Sequence, residues 1–367
     1  MNLFADQRTV LTLDAGGTNF VYSALRGGEE IVQPIQKPSY GDRLDLCIAS
    51  MKEGFHDLLA QLTDPAMAIS FAFPGPCDYP NGIVGDLENL PGFRGGVPLV
   101  GILEDTFGIP AYINNDGDLY TCGEALGGFL PEVNRMLEEK GNPKRYHNLV
   151  GLTLGTGFGA GIFTRGSLLV GDNSLAAEVW LLSNRFSPDR NIEEGVSIRS
   201  VIRDYFRHAG LQEDSNLTPK DIFDIAGGTA GGSREAALKA FEEMGEHLGD
   251  AIANLVTLTD GLVVIGGGIA GAARFFMPSV MRILQGKYDF PPQDPMMRLV
   301  QRAYNLEEAE DLKAFLEKTG KEVPVPGTGQ SRYYDDLPKT AVGISRIGAS
   351  KAISLGAYAF ALNQLDQ

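Results

Sequence analysis

Cysteine is scarce: three residues in a chain of 367, Cys47, Cys77 and Cys122, each far from the others. An odd, widely spaced set makes no disulfide framework, and no CxxC pair offers a zinc site. The thiols read as plain residues of a reducing compartment. Basic charge is scarce too. Lys plus Arg total 31 against 47 Asp plus Glu, a formal net charge of −16. A surface this acidic repels phosphate backbones, which argues against nucleic acid as a partner. An anionic ligand must then be held locally, by backbone N–H groups or a metal ion. No run of 18 apolar residues is present, so no membrane span is expected. The N-terminus has no basic stretch leading into a signal-like apolar run, and the expected location is the cytoplasm.

Glycine is in excess, with 46 residues grouped in short bursts rather than at a fixed period. A collagen-like chain is excluded, and a hydrophobic content of 43% excludes disorder as the overall state. Bursts of this kind mark tight turns or loops that cradle phosphate. The length favours two domains.

Residues 10–14 read as a strand, the following Ala15-Gly16-Gly17-Thr18-Asn19 as a turn, and residues 20–25 as a second strand. That is a hairpin, not a βαβ unit. Residues 42–62 carry apolar positions at helical spacing, residues 67–73 form a strand, 98–107 a helix and 111–113 a short strand. A helix is expected over 118–129. The N-terminal pattern then repeats: strands at 149–154 and 160–163 flank Gly155-Thr156-Gly157-Phe158-Gly159. A long helix over 234–258 leads to a strand at 261–265 and Gly266-Gly267-Gly268. Residues 285–340, with their prolines and a charged run, read as a helical excursion with loops outside the sheet core. Residues 350–362 read as an apolar C-terminal helix. Two β-rich halves that each open on strand, glycine turn and strand give an α/β protein with a duplicated core.

Four motifs carry possible chemistry. In Asp14-Ala15-Gly16-Gly17-Thr18-Asn19 the paired glycines let the backbone approach a polyphosphate, and Thr18 offers a hydroxyl. Asp14, at the strand end, could hold magnesium through water. A hairpin turn with Asp as turn former explains the same residues. Gly155-Thr156-Gly157 has the same physics, with a bulged hairpin as its alternative. Asn114-Asn115-Asp116 ends a strand. A carboxylate there can take the proton of a sugar hydroxyl as that oxygen attacks phosphorus. Asn115 can bond neighbouring hydroxyls, and an N-cap is the competing explanation. Gly266-Gly267-Gly268 could seat a base or ribose, or simply end a strand. Glu178 and Glu193 are either surface acids or acceptors for sugar hydroxyls.

In this order the motifs resemble the ROK family of bacterial sugar kinases and repressors, within the actin/hexokinase-like ATPase superfamily. Asp14 to Thr18 is similar to its first phosphate motif and Leu154 to Gly157 to its second. Phe73-Pro74-Gly75-Pro76 and Asn89-Leu90-Pro91-Gly92-Phe93 resemble its sugar-side loops. Asn115-Asp116 resembles its Asn-Asp, whose Asp is the catalytic base. Residues 171–178 and 192–197 resemble its two glutamate segments, and Gly266-Gly267-Gly268 its adenosine-side turn. The chain departs from the family at Leu181, where a His is usual, and at residues 184–191, which replace a zinc-binding cysteine cluster.

The resemblance implies duplicated ribonuclease H-like domains with a cleft between them. Residues 1–117, joined by a helix at 349–367, would form the smaller domain, and residues 118–348 the larger, with an insertion at 285–340. It implies a homodimer and an ATP- and Mg2+-dependent hexose kinase with no structural zinc. Asp116 would be the base. Gly75, Asn89, Asn115, Asp116, Glu178 and Glu193 would bind sugar. Asp14, Gly16, Gly17, Thr18, Asn19, Gly155, Thr156, Gly157, Gly266, Gly267 and Gly268 would bind nucleotide. A catalytically weak sugar sensor or an N-acetylhexosamine kinase is the alternative.

Overall fold

Val10, Leu11 and Leu13 bury Thr9–Ala15 (β1) over all but its last two residues, and it pairs antiparallel with Asn19–Arg26 (β2), Asp14 opposite Val21. The hairpin expected from the sequence is therefore present. Glu29–Glu30 (β3) and Ile35–Pro38 (β4) both pair with β2. Leu44–Leu59 (α1) turns Cys47, Met51, Phe55 and Leu58 inward at helical spacing. Ala66–Ala72 (β5) joins β1 in parallel. After the small hairpin of Cys77–Asp78 (β6) and Ile83–Val84 (β7) and the helix Leu99–Phe107 (α2), Ala111–Asn114 (β8) joins β5 in parallel. The sheet order is β3-β2-β1-β5-β8, with β4 also on β2. The computed structural model describes residues 3–15, 18–73, 75, 77–87, 90–213, 216–292 and 294–367. Gly16, Gly17 and Asn89 lie outside the described residues.

The helix expected over 118–129 begins earlier and ends earlier, at Asp116–Leu126 (α3), and a separate helix, Phe129–Glu139 (α4), follows. Asn115 sets the start. Its side chain accepts from the Gly117 and Asp118 amides at 2.7 and 3.4 Å. The break falls at Gly127-Gly128, where the buried Glu124 carboxylate accepts the Phe129 amide at 2.8 Å.

The pattern then recurs with Asn148–Leu154 (β9), Phe158–Thr164 (β10) and Ser167–Leu168 (β11). Four helices follow: Glu193–Val196 (α5), Ile198–Ala209 (α6), Pro219–Gly227 (α7) and the 26-residue Arg234–Thr259 (α8). Leu262–Gly266 (β12) is buried throughout, and Ala273–Leu284 (α9) comes next. Residues 285–340 contain the hairpin of Lys287–Tyr288 (β13) and Met296–Met297 (β14), the strand Arg302–Asn305 (β15) and the helix Ala309–Leu316 (α10). The hairpin of Lys321–Pro324 (β16) and Ser331–Tyr334 (β17) follows. Lys339–Ile344 (β18) and Ala349–Leu365 (α11) complete the chain.

The second sheet runs β11-β10-β9-β12-β18-β15, which repeats the β3-β2-β1-β5-β8 order of the first, with β15 added at the edge and, among the described residues, no counterpart of β4. This corrects the reading of 285–340 as an excursion outside the sheet. β15 is its edge strand, parallel to β18, and β18 itself is interior, between β12 and β15. The segment masked its strand because Arg302-Ala303-Tyr304-Asn305 is four residues long with a charged end, too short for a period to register. Lys339 ties α10 to the start of β18. Its ammonium donates to the Ala314 and Glu317 carbonyls at 2.9 Å each and to Phe315 at 3.3 Å, satisfying helix-end acceptors.

The chain divides into two units: Met1–Pro131 with Ala160–Ala177 and Arg346–Gln367, and Glu132–Gly159 with Glu178–Ser345. In the first, α3 and α11 lie backbone to backbone. A Cβ on Gly123 would strike the Ala352 carbonyl, and one on Gly356 the Leu119 carbonyl. Gly117 and Gly161 likewise seat the start of α3 against residues 160–161. Part of the glycine excess thus serves helix packing.

Candidate active site

In the first unit, Asp116 is the first residue of α3, directly after the edge of the parallel strands where β8 ends. Its Oδ1 accepts the Gly117 amide at 2.9 Å. The carboxylate meets solvent, yet protein crowds the rest of its surroundings. That burial pushes its pKa above the usual carboxylate range, against the Gly117 bond, and the negative charge of Asp14 pushes the same way. Asp14, at the end of β1, is also raised by burial, opposed by a hydrogen bond from Ser350 at the start of α11. Two acids thus converge with their charged forms disfavoured. A cation between solvent and Asp14 would relieve that cost, and one carboxylate plus waters suits magnesium. Asn114 is buried and its Oδ1 accepts the Asn115 amide at 2.8 Å.

Gly75 lies beside Asn115. A Cβ there would stand 3.6 Å from Asn115 Nδ2 and 2.6 Å from the Tyr79 hydroxyl, which donates to the Phe73 carbonyl. Thr18 and Asn19 are exposed at the start of β2, and the Thr18 carbonyl accepts the Ser39 amide at 3.0 Å. The structure therefore brings Asp14, Gly75, Asn115 and Asp116 into one unit with Thr18 and Asn19.

In the second unit the turn after β9 is closed by the Gly155 amide bonding the Gly157 carbonyl at 3.1 Å. A Cβ on Gly155 would meet nothing, so that face of the turn is open. Gly157 has no such room: a Cβ would stand 2.8 Å from Glu193 Oε2. Glu193 is bound to this turn. Its Oε2 accepts the Phe158 amide at 2.9 Å and its Oε1 pairs with Arg199 at 2.9 Å. The turn after β12 lies beside the same strand end. Gly267, at φ +89°, packs on the Leu154 backbone, and the Leu154 carbonyl accepts the Ile269 amide at 3.1 Å. Gly266 is buried within β12, whereas Gly268 opens to free space. Gly155, Thr156, Gly157, Gly267 and Gly268 thus form one surface.

Glu178 is half-buried and accepts the Trp180 indole N–H. Leu181, three residues after Glu178, is 60% exposed. The stretch that stands in place of a cysteine cluster is organised by Asn184. This buried amide accepts the Phe186 and Ser187 amides at 3.1 Å each and His247 Nδ1 of α8 at 2.9 Å. Burial holds the His247 pKa below its usual value, and Gly195 packs on its ring. Sequence reasoning missed both Arg199 and this His247–Asn184 contact. Arg199 falls two residues after Ser197, outside either glycine turn, and His247, inside α8, lies 63 residues from its partner with three other helices between. Neither spacing carries a pattern.

The ROK family matches residues 10–305, which extends past the motifs into the segment that starts at residue 285. A solved structure of a glucokinase from Parabacteroides distasonis is 49% identical and superposes with a TM-score of 0.90, covering 99% of each chain. The glucokinase of Thermotoga maritima is 24% identical over 292 residues, 72% of this chain and 83% of that protein. An N-acetyl-D-glucosamine kinase of Vibrio parahaemolyticus is 27% identical over 74% of this chain and 87% of its own. A second sheet that repeats the strand order of the first, a 49%-identical relative covered over 99% of both chains and a family match across most of the chain lead to one conclusion: the chain belongs to the ROK family.

Proposed function

We propose that the protein is an ATP-dependent hexose kinase that transfers phosphate to a sugar hydroxyl, the 6-hydroxyl of glucose being the leading acceptor. The observation that carries this reading is Asp116. It is an acid at the first position of a capped helix, solvent-accessible, with its pKa raised by burial. A base with a raised pKa is better matched to taking a hydroxyl proton near neutral pH. The glucokinase name of the 49%-identical relative supports the acceptor, and the Vibrio relative supports N-acetylglucosamine as the rival.

In this mechanism Asn115 and Glu178 orient sugar hydroxyls, and Asp116 takes the proton of the attacking oxygen. The turn amides at Thr156 and Gly157 serve the donor's phosphates, the open face at Gly155 lets them approach, and Gly268 leaves room for the nucleoside. Magnesium, held at Asp14 through water, would neutralise phosphate charge when bound. Glu193 fits the donor turn better than the sugar. Both of its oxygens are already engaged beside Gly157, so we assign it to shaping that turn. Gly16, Gly17 and Asn89 keep their proposed roles on the sequence resemblance alone.

The test is product analysis by phosphorus NMR after incubation with MgATP and glucose. A phosphate ester on the 6-oxygen supports the reading. Hydrolysis of ATP at an equal rate with and without sugar contradicts it.

A further inference from the structure

No lysine or arginine occurs within residues 14–19 or 154–161, so neither glycine turn brings a cation of its own. The fold supplies one from α6. Arg199 Nη1 donates to the Thr156 carbonyl at 3.2 Å, and Nη2 bonds Glu193 Oε1 at 2.9 Å and Glu194 Oε1 at 2.8 Å. The preceding amide, Ile198, donates to the Gly155 carbonyl at 2.9 Å, so the start of α6 is stitched to the turn. The Arg199 side chain is nevertheless 50% exposed. Its guanidinium has five N–H donors, and the named contacts engage only two of its three nitrogens.

We propose that Arg199 is a phosphate-binding residue that swings from its two glutamates onto the donor's polyphosphate at the second glycine turn. The proposal rests on the kinase reading and deepens it. Two features make the exchange inexpensive. Glu193 keeps the Phe158 amide when Arg199 leaves. Glu194 keeps Arg203, whose Nη2 bonds the Glu194 carbonyl at 2.8 Å and whose Nη1 lies 3.4 Å from the carboxylate. The pair of glutamates thus parks the guanidinium within reach of the turn without trapping it. A planar fork also matches phosphate oxygens better than a point charge does. On an acidic chain, a parked cation beside the turn offsets the repulsion that an incoming polyphosphate meets.

Titration calorimetry of the full chain with adenosine, ADP and MgATP tests this. Arg199→Ala should weaken MgATP on the order of tenfold to a hundredfold, the range for a charge-assisted hydrogen bond, weaken ADP less, and leave adenosine unchanged. Arg199→Lys keeps the charge but loses the fork, and should recover part of the MgATP affinity. The proposal is overturned if both variants bind MgATP like the wild type. It is equally overturned if adenosine and MgATP weaken by the same factor, since that marks a structural role, or if the wild type binds no MgATP. A wild type that binds MgATP but phosphorylates no hexose sinks the kinase reading alone. The graded loss across adenosine, ADP and MgATP then still decides the role of Arg199.

Discussion

Asp116 lies where helix start, strand end and a second acid meet, and each part has its own cause. Asn115 caps α3, which fixes Asp116 as the first helical residue, while protein around the carboxylate and the charge on Asp14 both favour its proton. A group whose folded pKa is raised costs stability at pH values above it. Asp116→Asn should therefore raise the melting temperature at pH 7. The gain should shrink as pH falls through the raised value towards the ordinary carboxylate pKa of about 3.9. Differential scanning calorimetry across that range checks it. The same substitution should cut kcat by about 10^2–10^4, the usual contribution of a positioned base, with hexose binding retained. The wild-type kcat/KM should fall on the acid side at a pH above the normal carboxylate range. A gain in stability paired with a loss of turnover distinguishes a strained catalytic acid from a helix cap, whose removal would lower both.

Two element-level contacts carry stability. Where α3 meets α11, Gly123 and Gly356 let the backbones touch, and a methyl group on either would overlap a carbonyl of the opposite helix. Gly356→Ala should lower stability by about 1–3 kcal/mol despite improving helix propensity, as urea unfolding would show. The loop ahead of α5 depends on Asn184 and His247. Asn184→Ala strands two backbone amides and the His247 ring, and should cost about 1–3 kcal/mol and raise the hexose KM. Because the His247 pKa is depressed in the fold, its contribution is present above the ordinary value of about 6.5 and is lost as pH falls below it. This amide-and-imidazole contact replaces a metal staple in the account. Chelator treatment should then leave the melting temperature unchanged, and stoichiometric zinc by elemental analysis would contradict that.

At the scale of the whole molecule, the acidic surface and the glycine bursts were legible before any coordinates, and so was the repeated strand–turn–strand plan. Alternation and glycine position are local signals, and β1, β2, β9 and the turn after β12 follow them. Asp116 was singled out by the resemblance of the ordered motifs, since an N-cap explains Asn115-Asp116 equally and Asn115 does cap α3. What escaped was non-local. β15 is too short to show a period, Lys339 caps a helix 23 residues before it, and Arg199 reaches its turn through α6. Sequence spacing encodes a helix face or a strand face. It does not encode which side chain an adjoining element will deliver to a turn. Two further glycines have structural roles: Gly228 ends α7 at φ +76°, and Gly232, at φ +141°, sits against the Tyr205 hydroxyl.

The central claim is sugar-dependent phosphoryl transfer from ATP. The direct measurement is ADP release in a coupled assay against glucose, N-acetylglucosamine, N-acetylmannosamine, allose and fructose, run in parallel with Asp116→Ala. The account predicts ADP release that depends on one hexose, glucose foremost, and falls by about 10^2–10^4 in the variant. ADP release that is independent of every sugar, or unchanged without the Asp116 carboxylate, would contradict it.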